Sequence, residues 1–165
     1  MIWGVVTNKS EWLTRPVMEQ LKLTQRAACI VSGDSTEFRK PHPRPVLHAC
    51  EVAQCGPETS LYVGDALRDI EAGRAAGMKT LIADYGYIAK DENPEVWGAD
   101  GRISEPEEII DFVKEEIQSD VNNSIILCGT PPLIPEQIIY TNKFYCELSN
   151  CSGMKISLEY EITRI

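Results

Sequence analysis

The chain contains few of the residues on which metal and nucleic-acid sites are usually built. Its two histidines, His42 and His48, are too few and too far apart to form a zinc site, and its six cysteines include no C-x-x-C pair. Basic residues are outnumbered, 16 to 25, by acidic ones, and the net charge is −9. This deficit argues against nucleic acid and against an anionic membrane as partners. It leaves open a small phosphorylated metabolite, for which one lysine in a pocket suffices.

Long apolar runs are also missing, because no segment approaches the roughly 20 residues that a transmembrane helix needs. The first four residues lack the basic stretch and the apolar core of a signal peptide. We therefore expect a cytoplasmic protein. Its cysteines are expected to be buried or incidental thiols, with a metal or disulfide role as the alternative.

Strand-like and helix-like segments alternate regularly from residue 2 to about residue 117. This alternation predicts an α/β fold with a parallel sheet that helices cover on both faces. The predicted strands span residues 2–7, 27–31, 60–63, 79–83 and 101–103. The predicted helices span residues 10–23, 46–54, 66–76 and 105–117, with Ser10 as a cap of the first and Gly77 as a C-cap of the third.

The tail of the chain, residues 118–165, has a different character. It begins with a polar, linker-like segment and contains three prolines between residues 130 and 135. A short apolar run at 125–128 and an alternating segment at 155–165 are possible strands. We therefore treat residues 1–117 as one domain and residues 118–165 as a tail of unknown role.

Polar residues that could take part in binding or catalysis follow the predicted strands. Thr7 and Asn8 follow the first strand, Lys40 lies in a proline-rich loop, and Gly64-Asp65-x₃-Asp69 follows the strand at 60–63. The carboxyl ends of parallel strands are where ligands bind in open α/β sheets. A hydroxyl, an amide and a lysine there could contact phosphate, and two carboxylates are oxygen ligands that suit Mg²⁺.

Each of these segments also has a simpler interpretation. Thr7-Asn8 is typical of an ordinary turn, and Lys40 could be a solvated lysine. Asp65 could serve only as the N-cap of the following helix. The order and spacing of the three segments together favour the chemical interpretation.

The combined motifs resemble the haloacid dehalogenase superfamily of phosphatases. The residues that carry the resemblance are residues 3–9, Lys40-Pro41, residues 63–77 and residues 85–88. Within that superfamily they are most similar to the branch of the phosphoglycolate phosphatases and N-acetylmuramic acid 6-phosphate phosphatases. The resemblance covers about residues 2–117 and implies a Rossmann-like core.

The resemblance implies a role for each matching residue. Thr7 would donate its hydroxyl to the phosphoryl group of the substrate, helped by Asn8, and Lys40 would bridge phosphate and nucleophile. Asp65 would help to hold Mg²⁺, and Asp69 would support the metal. The implied reaction transfers a phosphoryl group to an aspartate, giving an aspartyl-phosphate that water hydrolyses.

The first motif of that family, Asp-x-Asp-Gly-Thr, occurs nowhere in this sequence. In the family its first aspartate is the nucleophile, and the motif ends a central strand. In the family a helical cap domain that selects the substrate is normally inserted after this motif. We therefore expect an N-terminally truncated core that lacks both the nucleophile and the cap domain. The neighbouring strands must then pair directly, take in a replacement such as 125–128 or 155–165, or leave backbone groups unpaired at about 1–3 kcal/mol each. An incomplete sheet could also promote self-association.

The sequence supports two interpretations of function. In the first, the chain is a Mg²⁺-dependent phosphomonoester hydrolase by family, inactive alone because its nucleophile is missing. In the second, it is a non-catalytic α/β module that at most binds phosphate, a metal or a partner chain.

Overall fold

The computed structural model describes residues 2–117, 125–128, 143–149 and 155–161. The chain divides into two compact units, residues 1–131 and residues 132–165. The first unit is an α/β fold. Its strands are β1 (Ile2–Val6), β2 (Ile30–Val31), β3 (Leu61–Gly64), β4 (Lys79–Ala83), β5 (Gly101–Ile103) and β6 (Ile125–Cys128). Its helices are α1 (Glu11–Gln20), α2 (Arg44–Ala53), α3 (Leu67–Ala75) and α4 (Glu108–Phe112), the last continued by a π-helical turn at Val113–Ile117.

The six strands form one parallel sheet in the order β2-β1-β6-β3-β4-β5. The parallel sheet predicted from the alternating pattern is thus confirmed. Strand β6, from the tail of the chain, lies at the centre between β1 and β3. Its Cys128 is in register with Val5 on one side and with Val63 on the other. The replacement of a missing central strand, one of the three alternatives, is therefore the one that the structure adopts.

Both faces of the sheet are buried, as the apolar strands predict. On one face α2 and α3 cover a core that includes Val6, Tyr62 and Leu127. On the other face Leu61 and Val63 pack with residues of β4, β5 and the end of α4, and Ile126 packs against this group. Neighbouring residues of β6 thus contribute to opposite faces, as the period of two in a strand requires. A central strand needs this apolar run, and the sequence at 125–128 supplies it.

Several element boundaries differ from the prediction. Strand β2 has two residues instead of five, and α1 ends at Gln20 instead of Leu23. Ser10 occupies the N-cap position of α1, but its side chain makes no capping hydrogen bond. The predicted end of α3 is close to the observed one, because Gly77 follows it with a φ of +82°. Glycine adopts that conformation without the strain that a Cβ would cause.

The second unit contains a β-hairpin. Strands β7 (Lys143–Ser149) and β8 (Lys155–Glu161) pair antiparallel, with Lys143 opposite Glu161 and Ser149 opposite Lys155. The alternating segment predicted at 155–165 is therefore a strand over its first seven residues. The predicted linker and the proline-rich segment lie outside the described residues.

The cysteines of the first unit are free thiols in the structure: Cys29 and Cys50 are buried, and Cys55 and Cys128 are partly buried. Burial raises the pKa of Cys29 to about 11 and that of Cys50 to about 12, so both are neutral near pH 7. In the described part of the chain, no helix has both the length and the apolar character needed to span a membrane.

Candidate functional site

The predicted site residues lie where parallel strands end at one edge of the sheet. Thr7 and Asn8 follow β1, and Asp65 follows β3, which ends at Gly64. Because β1, β6 and β3 run parallel and adjacent, these residues leave the sheet in the same direction. Thr7 is buried, and its hydroxyl oxygen accepts a hydrogen bond from the Lys9 backbone N–H at 3.2 Å.

Asn8 holds the loop that carries Lys40. Its side-chain Nδ2 donates to the Lys40 carbonyl at 2.9 Å, and its Oδ1 accepts from the Lys40 backbone N–H at 3.0 Å. Both ends of the Asn8 amide are therefore engaged with one residue 32 positions away in the sequence. The peptide bond between Lys40 and Pro41 is cis. The phosphate contact predicted for Asn8 stays a prediction, and the observed contacts give it a role in fixing the loop.

The side chain of Lys40 is buried and has three close acceptors. Its Nζ lies 2.7 Å from the Val6 carbonyl oxygen, 2.8 Å from the Tyr62 hydroxyl and 2.7 Å from Oδ1 of Asp69. The Tyr62 hydroxyl itself donates to the same Val6 carbonyl at 3.1 Å. The side chains of Lys40 and Asp69 are each only 4% exposed, so the simpler interpretation of Lys40 as a solvated lysine is wrong.

Burial lowers the pKa of Lys40 below its ordinary value, and the hydrogen-bonded Asp69 carboxylate acts in the opposite direction. Two further charges affect this pKa: Arg68 lowers it and Asp65 raises it. The neighbouring Tyr62 is fully buried, and its burial, followed by the Asp69 charge, raises its pKa well above the usual value. Tyr62 is therefore a neutral phenol at all moderate pH values.

Asp65 is half-buried in the loop after β3 and contacts the loop after β4. Its Oδ2 accepts the backbone N–H of Tyr87 at 2.8 Å. A Cβ on Gly86 would collide with the Asp65 side chain, so the loop after β4 can approach this closely only with glycine there. The N-cap of α3 is Ala66, with extended backbone and no side-chain capping bond. The interpretation of Asp65 as a helix cap is therefore wrong.

Asp69 lies deeper than Asp65, in the first turn of α3. A Cβ on Gly64 would collide with the Asp69 side chain, so this glycine lets the carboxylate reach Lys40. Among the described residues, no group of three or more histidine, cysteine or acidic side chains comes together to hold a metal ion. Mg²⁺, however, commonly takes only one or two carboxylates and completes its shell with water and phosphate oxygens. The Asp65 carboxylate fits that limited role, whereas Asp69 is already paired with Lys40.

Strand β6 brings a thiol to this edge of the sheet. Cys128 is its last residue, and desolvation raises the pKa of the thiol to about 11, although the Lys40 charge acts to lower it. A thiol with that pKa is almost entirely protonated near pH 7 and is a poor nucleophile. The central strand therefore completes the sheet without adding a carboxylate or a thiolate.

Sequence reasoning missed Tyr62 as a site residue, because it lies in an apolar strand and was counted only as part of that strand. The signal that could have identified it is the phenolic oxygen. A buried tyrosine hydroxyl needs a hydrogen-bond partner, so a tyrosine in a strand that is buried on both faces indicates a polar group nearby.

A family model for haloacid dehalogenase-like hydrolases matches residues 1–83, which is just over half of the chain. An N-acetylmuramic acid 6-phosphate phosphatase of Pseudomonas aeruginosa is 45% identical over 113 residues, covering 68% of this chain and 50% of that protein. A phosphoglycolate phosphatase of Xylella fastidiosa is 45% identical over 105 residues, covering 64% of this chain and 46% of that protein. The chain thus spans about half the length of the curated relatives it matches.

Solved structures agree with the family match. A predicted phosphoglycolate phosphatase from Haemophilus somnus aligns with a TM-score of 0.62 and 27% identity, over 67% of this chain and 49% of that chain. A HAD-superfamily hydrolase from Geobacter sulfurreducens aligns with a TM-score of 0.55 and 29% identity, over 67% of this chain and 47% of that chain. With its parallel sheet and its polar strand ends, the chain belongs to the family of haloacid dehalogenase-like hydrolases.

Proposed function

We propose that this chain carries the phosphate-binding and cation-binding part of a phosphomonoester hydrolase site of the phosphoglycolate phosphatase type. The observation that carries the proposal is the buried Lys40–Asp69 pair at the carboxyl edge of the sheet, beside Thr7 and Asp65. The names of the similar proteins, which act on phosphoglycolate or on N-acetylmuramic acid 6-phosphate, support a small phosphorylated metabolite as the ligand.

Each residue has a role in this proposal that its chemistry allows. The Thr7 hydroxyl donates to a phosphoryl oxygen, and the Lys40 ammonium offsets the negative charge of the phosphoryl group. Asn8 keeps the Lys40 loop in place. The Asp65 carboxylate, with water and phosphate oxygens, would hold Mg²⁺, which would polarise the phosphoryl group when bound.

The chain alone is expected to bind phosphate without hydrolysing phosphomonoesters at an appreciable rate. Phosphoryl transfer in this family uses an aspartate as nucleophile, and the sequence contains no Asp-x-Asp motif. Cys128 does not replace it, because its thiol is protonated near neutral pH. Turnover would then require the nucleophile to come from another polypeptide segment.

A calorimetric titration with inorganic phosphate, in the presence and absence of Mg²⁺, tests the proposal. Lys40→Met is expected to weaken phosphate binding at least about tenfold, because the charge that the phosphate contacts is removed. Asp65→Asn is expected to abolish the enhancement of binding by Mg²⁺. Lys114→Met removes a lysine that is 64% exposed and should leave binding unchanged. Circular dichroism of each variant establishes that it is folded.

A second candidate function is a non-catalytic module without a phosphate site. The observation that favours it is that the three N–H groups of Lys40 have three protein acceptors, so the lysine can serve the fold alone. Wild-type protein that shows no heat of binding with phosphate, with or without Mg²⁺, would support this module and contradict the proposed site.

A further inference from the structure

Lys40 cannot contact a phosphoryl group while it keeps all of its present hydrogen bonds. An ammonium group has three N–H donors, and three acceptors lie within 2.8 Å of this one. The proposed function therefore requires that one of the three partners be exchanged for the ligand. The partner that is released should be the one whose hydrogen bond to Lys40 is weakest and whose own polar groups stay satisfied afterwards.

Asp69 is the partner that is hardest to release. Its carboxylate is charged and 4% exposed, and separation from Lys40 would leave a buried charge without its counter-ion. The Val6 carbonyl is a stronger acceptor than a phenol. The Tyr62 hydroxyl is the weakest of the three acceptors, because it is neutral and its oxygen shares lone-pair density with the aromatic ring.

Tyr62 also loses least when the lysine leaves. Its own O–H stays satisfied by the Val6 carbonyl, so no buried donor is left without a partner. The tyrosine is fully buried in the core below the site, between α3 and the sheet, so its ring stays in place. The lysine, in contrast, has a flexible four-carbon side chain that can turn one N–H away.

We propose that Tyr62 is an exchangeable partner of Lys40. The Tyr62 hydroxyl accepts a hydrogen bond from one N–H of the Lys40 ammonium in the free protein, and a bound phosphoryl group takes its place. This inference rests on the proposed phosphate site and adds a positioning residue to it. Tyr62 keeps the ammonium satisfied and in place while the site is empty. It also competes with the ligand for the same N–H.

The inference predicts that loss of the Tyr62 hydroxyl strengthens phosphate binding. In Tyr62→Phe the free protein has a buried N–H without an acceptor, and bound phosphate supplies that acceptor. We expect the variant to bind inorganic phosphate about tenfold more tightly, which corresponds to about 1.4 kcal/mol, and to have a lower Tm. Tyr85→Phe is the control, since Tyr85 is a partly buried tyrosine that follows β4 and is not among the three acceptors of Lys40.

Calorimetric titration of wild type, Tyr62→Phe and Tyr85→Phe with inorganic phosphate distinguishes the possible outcomes. Equal or weaker binding by Tyr62→Phe, with binding by the wild type, would overturn the exchange and leave the proposed function standing. No binding by wild type or by Tyr62→Phe would overturn the phosphate site itself and the exchange with it. Tighter phosphate binding by Tyr62→Phe, with unchanged binding by Tyr85→Phe, supports the inference. Loss of a purely structural tyrosine would lower the Tm without raising the affinity for phosphate.

A second measurement on the wild-type protein applies even where Tyr62→Phe does not fold. With ¹³C at the Cζ of tyrosine, addition of phosphate should shift the Tyr62 signal, because its hydroxyl loses a charged donor. The Tyr85 signal should move much less. A Tyr62 signal that stays in place at saturating phosphate would contradict the exchange.

Discussion

Strands β1 and β3 differ from strand β6 in the chemistry found at their carboxyl ends. All three lie side by side at the centre of the sheet, and Val5, Cys128 and Val63 are in register. The residues that follow β1 and β3 are the polar Thr7 and Asp65, whereas the last residue within β6 is Cys128, whose thiol is protonated near pH 7. The central position of a sheet therefore requires only an apolar strand that can pair on both sides. The chemistry depends on the residue at the strand's end.

The same comparison explains how a chain that spans about half the length of its relatives forms one continuous sheet. Strand β6 comes after α4 in the sequence, yet it lies between the first and third strands. Its four residues pair with both neighbours and pack on both faces. The central gap expected from the family resemblance is thus filled by the same chain. Self-association through an incomplete sheet stays a prediction.

Removal of β6 is expected to have the largest effect on the molecule. A chain that ends at residue 117 would expose the backbone groups of β1 and β3 and should lose its cooperative unfolding transition, because each unpaired buried group costs on the order of 1–3 kcal/mol. A chain that ends at residue 131 keeps β6 and lacks only the second unit, so it is the matched control. Urea denaturation followed by circular dichroism compares them. A cooperative transition in the shorter chain would show that β6 is dispensable.

A single substitution in β6 should have a smaller but still large effect. Leu127 is fully buried beside Tyr62, and Leu127→Ala is expected to lower the free energy of unfolding by about 2–5 kcal/mol. Leu67→Ala makes the same chemical change at a residue that is 40% exposed and should cost less than about 1 kcal/mol. Similar losses for the two variants, measured by urea denaturation, would contradict the central position of β6.

The titration of Lys40 tests the chemistry at the carboxyl ends of β1 and β3. Its expected effect on stability is the smallest of the three. Because burial lowers the pKa of Lys40, this lysine should lose its proton in the folded protein at a pH below the ordinary lysine pKa of about 10.4. In the pH window between the two values the unfolded chain binds more protons, so the contribution of Lys40 to stability rises with pH. Nuclear magnetic resonance of lysine labelled with ¹⁵N at Nζ measures this pKa. A value at or above 10.4 would contradict the dominance of burial.

Much of the fold could be predicted from sequence because apolar strands and helical periodicity are local properties. Strands β4 and β5 begin and end at the predicted residues. Strand β2 is shorter than the apolar run at 27–31 predicts, because only Ile30 and Val31 pair with β1, although β1 itself begins at Ile2. The segment at 125–128 is a possible strand and a candidate for the central position on sequence alone, but the choice among the alternatives depends on tertiary pairing, which no local pattern specifies.

The candidate site was predicted as residue types and not as contacts. The motif spacing identified Lys40 and Asp69, but their ion pair depends on the collision-free approach that Gly64 allows. Tyr62 was missed for a related reason, since its hydroxyl meets Lys40 across 22 residues of sequence. Buried hydrogen-bond networks of this kind form only when separate elements pack together.

The central claim is that this chain holds the phosphate-binding and cation-binding part of the site without a nucleophile. Steady-state hydrolysis of p-nitrophenyl phosphate with Mg²⁺, by the same sample that is titrated with phosphate, tests it most directly. We expect phosphate binding together with a hydrolysis rate at the background of the buffer. Hydrolysis well above background in the wild type, lost in Asp65→Asn, would contradict the claim, because this chain would then contain its own nucleophile.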